Sequence, residues 1–144
     1  MKIDIFRVIQ FLSAFGVILA VYLLTEQIFR FPSVCSISAT VNCDAIISGA
    51  VSHTLGIPTP LYGLTGYVVM FFAATLKKSR LLAAMATFGL AFCLWIGFRE
   101  LFELHVVCPI CLACQATIIA VFILALYRLL HAHDGPEAAM LPLS

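Results

Sequence analysis

Cys108 and Cys111, in the run Cys108-Pro109-Ile110-Cys111, stand where an apolar stretch of membrane length begins. With Cys108 near a helix N-cap, Pro109 falls in the first turn, where its missing N–H costs nothing and its fixed φ suits the helix. Cys111 then lies one turn in, on the same side. Cβ atoms three residues apart on a helix are about 5–6 Å from each other, against about 3.5–4.5 Å across a disulfide, so a slightly tightened first turn closes the bond. That bond is modestly strained and therefore reducible. The free N–H groups and positive dipole end of the helix also favour a thiolate, the nucleophile of thiol exchange. One placement thus supplies both pair geometry and activation, the chemistry of electron traffic between protein thiols and something dissolved in lipid. C-x-x-C alone is nevertheless a common pattern, and a stabilising disulfide or two buried apolar cysteines also account for it.

The elements that must position this pair are membrane helices. The chain of 144 residues is 63% hydrophobic and 10% charged, with a mean hydropathy of +1.12, far from soluble globular composition. A bilayer core about 30 Å thick needs roughly 20 apolar helical residues, and stretches near 5–24, 60–76, 81–98 and 107–130 approach that length. The first is too long for a signal-peptide core and lacks a cleavage pattern, so it reads as a retained helix. The expected fold is an all-α integral membrane four-helix bundle with a long outward-facing loop between the first and second helices. Residues 1–134 form one domain, and residues 135–144 are a short cytoplasmic tail.

Lys2 and Arg7 precede the first helix, Lys77, Lys78 and Arg80 form the turn between the second and third, and Arg128 closes the fourth. Excess Lys and Arg marks the cytoplasmic side. Both termini are therefore expected in the cytoplasm, with the 26–59 loop and the 99–106 connector outside. The net charge of +1 and the lack of a basic patch give no indication of nucleic-acid binding.

On this topology Cys35, Cys43, Cys108 and Cys111 gather at the outward face, where disulfides persist. Cys35 and Cys43 are eight residues apart, a spacing that suits a loop staple and a catalytic pair equally. Cys114 lies about 9 Å below Cys108 and Cys93 about 7.5 Å below Phe98, at similar depth in the membrane. Both read as plain small hydrophobes. Cys108, Cys111 and Cys114 spell C-x-x-C-x-x-C, but no fourth cysteine follows at iron–sulfur spacing, so no metal site is assigned.

Ala45, Ile46, Ile47, Val51, Leu55 and Ile57 make the segment after Cys43 too apolar for a solvated loop, which suggests a short helix or flap lying over the bundle. Asp44 is placed either to cap that helix or to tune the thiol. His105 is positioned to steady a thiolate when protonated, or is a wet surface residue. Arg99, Glu100 and Glu103 read as a solvated rim. His131 and His133 are too few for a metal site.

Beyond the cysteines, the chain carries Asn42-Cys43-Asp44-Ala45-Ile46-Ile47-Ser48-Gly49, then Gly56-Ile57-Pro58 leading to Tyr62-Gly63-Leu64-Thr65-Gly66-Tyr67. With the loop pair and the C-x-x-C, this resembles the vitamin K epoxide reductase family over nearly the whole length, particularly its bacterial and archaeal members without a fused thioredoxin-like domain. The resemblance implies a quinone-dependent disulfide relay with Cys35, Cys43, Cys108 and Cys111 as catalytic residues. Cys35 would meet a separate secreted or periplasmic thioredoxin-like oxidoreductase, and Cys43 would exchange with Cys108. Cys111 would stand beside a quinone of ubiquinone, menaquinone or vitamin K type. The quinone contacts it suggests are Cys111, Gln115, Ser48, Ile57 and Tyr62. The implied location is the cell (inner) membrane, or the endoplasmic reticulum membrane in a eukaryote.

Two positions depart from the family pattern. Gly49 stands where many members have serine, with Ser48 one residue earlier, and Gln115 replaces the tyrosine of vitamin K-reducing relatives. A glutamine amide still offers a hydrogen bond to a quinone carbonyl, but both changes weaken an assignment to epoxide reduction. The other readings are therefore a vitamin K quinone or epoxide reductase and, from a different class, a non-catalytic membrane scaffold braced by structural disulfides.

Overall fold

The helix boundaries follow from local chemistry at each end. In the computed structural model, which describes residues 4–32, 34–49 and 52–132, α1 spans Ile5–Phe29. It opens where the Asp4 carboxylate accepts from the Phe6 N–H at 3.2 Å and closes at Arg30, which takes a left-handed conformation with φ 53°. The short helix α2 covers Asp44–Ser48. The strands β1 (His53–Thr54) and β2 (Ile57–Pro58) pair antiparallel around Leu55 and Gly56. Gly56 holds a φ of +82°, a conformation glycine adopts freely.

Helix α3 (Thr59–Thr75) begins with Pro60 in its first turn, as proline's fixed φ favours. Lys77 and Lys78 then break the chain before α4 (Ser79–Arg99), which runs directly into a π-helical turn, Glu100–Leu104. The last helix, α5, spans Pro109–Ala132. The apolar loop segment does form a helix, α2, although Val51 lies outside the described residues, as do His133 and the tail at 135–144.

Three helical spans, Ile5–Phe29, Ser79–Leu104 and Pro109–His131, are long and apolar enough to cross a membrane. The 17 residues of α3 rise about 25 Å, short of the full hydrocarbon thickness. Large apolar side chains, among them Phe11, Ile18, Phe88 and Ile123, are exposed along the helices. In water that would be a liability; on a membrane protein it is the lipid-facing surface.

Inside, α1 packs on α3 and α5, and α4 packs on α5 and α3. The core joins Ile9, Met70, Leu82, Ile118 and Val121 to buried alanines at 73, 74, 83, 86 and 125. Small residues bring membrane helices close where dispersion contacts must hold them together. Gly16 is the tightest case, because a Cβ there would fall on the ring of Tyr67. A second buried cluster lies at the loop-bearing end and contains Cys43, Ile46, Val106 and Cys108.

Candidate active site

Backbone pairing brings the loop to the helix mouth. Val41 and Val107 form a parallel bridge, and the Val107 N–H donates to the Thr40 carbonyl at 2.7 Å. Val107 directly precedes Cys108 and Val41 stands two residues before Cys43, so pairing these segments delivers Cys43 to Cys108. The loop is braced from within: the Ser36 hydroxyl donates to Asp44 Oδ2 at 2.8 Å, and the Ala45 N–H donates to Asn42 Oδ1 at 3.1 Å. Asn42 thus ties the chain entering α2 to its first turn, while the Asp44 side chain secures the loop around Cys35.

Cys35 and Cys43 form a disulfide with a Cα–Cα distance of 5.8 Å. The Cys108 sulfur lies 3.0 Å from that of Cys43, and the sulfurs of Cys35, Cys43 and Cys108 all lie within 4.8 Å of one another. Cys43 and Cys108 are buried, whereas Cys35 is half-buried. With two of its three sulfurs already bonded to each other, the cluster is arranged for thiol–disulfide exchange rather than for holding a metal.

Cys108 occupies the cap position of α5. Its sulfur accepts from the Cys111 N–H at 3.3 Å, and its carbonyl accepts from Leu112 at 3.0 Å. The Cys111 thiol, together with the N–H groups of Cys111 and Ile110, holds the Cys108 thiol below its ordinary pKa, while burial and the Glu100 carboxylate act in the opposite direction. An activated sulfur thus sits beside one end of a disulfide.

Beyond Cys111 the site opens into a cavity of about 100 Å³, largely apolar and bordered by Ile46, Ile47, Tyr67 and Phe92. Its polar edge includes Gln115, whose amide donates to the Cys93 carbonyl at 3.3 Å, and Tyr67, whose hydroxyl donates to the Cys114 carbonyl at 2.8 Å. Gly97 makes room for that amide, since a Cβ there would fall on it. A second cavity of about 310 Å³ lies between α3 and α4 and shares Gly63, Tyr67, Phe92 and Cys93 with the first.

The vitamin K epoxide reductase family model matches residues 7–126. The chain belongs to the vitamin K epoxide reductase family. It is accordingly a membrane protein of an oxidoreductase family whose chemistry is linked to quinones. Comparison with curated proteins gives no match.

Of the residues that the family resemblance singles out, the fold gathers Cys35, Cys43, Cys108 and Cys111 at one end of the bundle, and Cys111 and Gln115 line the first cavity. Ile57 and Tyr62 line the second, and the Tyr62 hydroxyl donates to the Thr54 carbonyl at 3.0 Å. Ser48 is exposed, with its hydroxyl donating to the Asp44 carbonyl at 2.6 Å. His105 is exposed and left-handed, ending the π-turn.

The rim reading holds for Arg99 and Glu103, which form a salt bridge of 2.7 Å. It fails for Glu100, which is only 5% exposed and lines the first cavity. The π-turn that starts at Glu100 sets it inward, while its neighbours pair outward. Cys93 and Cys114 also border this cavity, beyond the packing role expected of them. The sequence carried no signal separating Glu100 from Arg99 and Glu103, the charged residues beside it.

Proposed function

We propose that this chain is a quinone-dependent thiol–disulfide oxidoreductase that reoxidises a secreted thioredoxin-like partner and so sustains disulfide formation. The single observation that carries the reading is the 3.0 Å separation of the Cys43 and Cys108 sulfurs. It joins a loop disulfide, half-buried at its Cys35 end, to a dithiol whose Cys111 borders an apolar cavity.

In the proposed cycle, a partner thiolate attacks the Cys35–Cys43 disulfide at Cys35. A second partner thiol resolves the mixed disulfide, leaving the partner oxidised and the loop pair reduced. Cys43 then attacks Cys108 of a Cys108–Cys111 disulfide, Cys111 leaves, and Cys35 displaces Cys108 from Cys43. Each step forms one S–S bond and breaks another. The pairing seen here, with Cys35 bonded to Cys43 and both Cys108 and Cys111 free, corresponds to the state after internal exchange. The reduced pair finally passes two electrons and two protons to a quinone, which leaves as hydroquinone.

The apolar cavity beside Cys111 suits a quinone ring, and its continuation between α3 and α4 suits the apolar tail. In this reading α3 is a fourth, short crossing of the bilayer, and the catalytic cysteines face the oxidising side. Arg7, Lys77, Lys78, Arg80 and Arg128 all fall at the opposite end. Gln115 and Gly49 favour plain quinone reduction over epoxide reduction.

Purified protein mixed with a reduced thioredoxin-like protein and a short-chain quinone should consume thiols, and Cys111→Ser should abolish the reaction. Thiol consumption unaffected by that substitution would overturn the relay.

A further inference from the structure

Glu100 is the only Asp, Glu, Lys or Arg among the described residues lining the cavity at Cys111. It is 5% exposed, and its Oε1 has no hydrogen-bond partner among the described residues. Cys111 lines the same cavity, and the Glu100 carboxyl and the Cys111 thiol are close enough for each to perturb the ionisation of the other. Burying a carboxyl with one oxygen unsatisfied is costly, and that oxygen remains available to a polar atom entering the cavity. Glu100 also opens the π-helical turn at the end of α4, a distortion often found where a helix presents a functional side chain.

The titratable groups around it are thiols and a phenol: Cys111, Cys114 and Cys108 from the α5 side, Cys93 on α4 and Tyr67 on α3. Helix α1 contributes the neutral Gln27 to the cavity, and α2 contributes Ile46 and Ile47. A proton leaving Cys111 therefore has one carboxylate within reach.

We propose that Glu100 is the proton carrier of the quinone step, its carboxylate taking the Cys111 thiol proton and returning it to a carbonyl oxygen of the quinone in the cavity. This assignment rests on the relay described above. Over one turnover the S–H bonds of Cys108 and Cys111 break and one S–S bond joins the two sulfurs. The quinone gains two electrons and two protons. One of these protons travels through Glu100, the other is the one lost by Cys108, and Glu100 ends as the carboxylate it was at the start.

The experiment uses the full-length protein in detergent and reads two steps separately. One is reduction of the Cys35–Cys43 disulfide by dithiothreitol, which does not involve Glu100. The other is single-turnover reduction of a short-chain benzoquinone by the pre-reduced protein, followed by absorbance across a pH series. Glu100→Gln should slow the quinone step by about 100-fold, in the range of lost general acid–base catalysis, and remove the fall in rate on the acid side of the wild-type profile. Reduction of the loop disulfide should stay within about twofold of wild type, the quinone step being where proton transfer acts. Glu100→Asp, which keeps an ionisable group, should recover part of the rate and the acid limb.

A wild-type rate and pH profile in Glu100→Gln would overturn the assignment and leave the relay standing. Equal losses in both steps would make Glu100 structural and overturn it as well. If Glu100→Gln does not fold, an acid limb missing from Glu100→Asp overturns it. A wild-type protein that reduces no quinone overturns the relay itself.

Discussion

The sulfur of Cys108 lies 3.0 Å from that of Cys43, while Cys43 is bonded to Cys35. A disulfide needs about 2.05 Å between sulfurs, so a movement of about 1 Å exchanges one bond for another. Removing the two outer partners should freeze that exchange. In a Cys35→Ala, Cys111→Ala double variant, mild oxidation should link Cys43 to Cys108, seen by mass spectrometry of unreduced peptides. Failure to find that cross-link would remove the basis for internal transfer.

The lowered pKa of Cys108 makes a prediction with a definite sign. A depressed thiol pKa means the thiolate persists below the ordinary value and is lost only as the pH falls through the depressed one. In reduced protein, alkylation of Cys108 should therefore continue to lower pH than that of an unperturbed cysteine. Cys111→Ala removes the largest cause of the shift and should move the midpoint back up, as a pH series of iodoacetamide labelling would record.

The bridge between Val41 and Val107 should govern exchange without touching either disulfide. Val107→Pro deletes the N–H that donates to Thr40 at 2.7 Å. A misplacement of about 1 Å at reacting atoms costs up to about 100-fold in rate, so electron transfer from loop to helix should slow by about 10- to 100-fold. Reduction of Cys35–Cys43 by dithiothreitol should stay near normal. Equal rates of internal transfer in the variant and wild type would show that the pairing does not position Cys43.

Gly97→Ala should act on the cavity instead. The added methyl falls on the Gln115 amide and must displace it from the Cys93 carbonyl, which it meets at 3.3 Å. The expected outcome is a KM for quinone raised about tenfold, the effect of about 1.4 kcal/mol of lost binding, with the loop exchange rate unchanged. Steady-state kinetics with a short-chain quinone and with dithiothreitol separate the two.

Gly16→Leu tests the packing that holds the bundle. Its side chain must displace the Tyr67 ring, and overpacking of a filled core costs about 1–3 kcal/mol. A lower melting temperature in detergent is expected. Because Tyr67 also borders the cavity and donates to the Cys114 carbonyl, weaker quinone binding should accompany it.

Much of this architecture was legible because membrane insertion is read residue by residue. Apolar runs located α3, α4 and α5 to within two residues at each end but stopped five residues short of the end of α1. Pro109 marked the start of α5 at the position where it now stands. The apolar segment after Cys43 correctly pointed to a short helix over the bundle end. Ser48 and Glu100 were harder, because their orientation depends on turns that no periodicity encodes. Ser48 bonds back to the Asp44 carbonyl within α2, and Glu100 turns inward where α4 widens into a π-turn.

The sequence by itself determined that the chain lives in lipid, where its helices run, and that one dithiol opens the last of them. These are local properties: hydropathy sums along the chain, and a proline sets its own φ wherever it stands. Spacing alone left open which loop sulfur meets Cys108, although the family resemblance pointed to Cys43. Which of three neighbouring charged residues enters the cavity only the tertiary structure decided. Spacing treats Cys35 and Cys43 alike, and it treats Glu100 like Arg99 and Glu103. The Val41–Val107 bridge and the π-turn distinguish them, because both arise from contacts between segments distant in sequence or from a change of helical pitch.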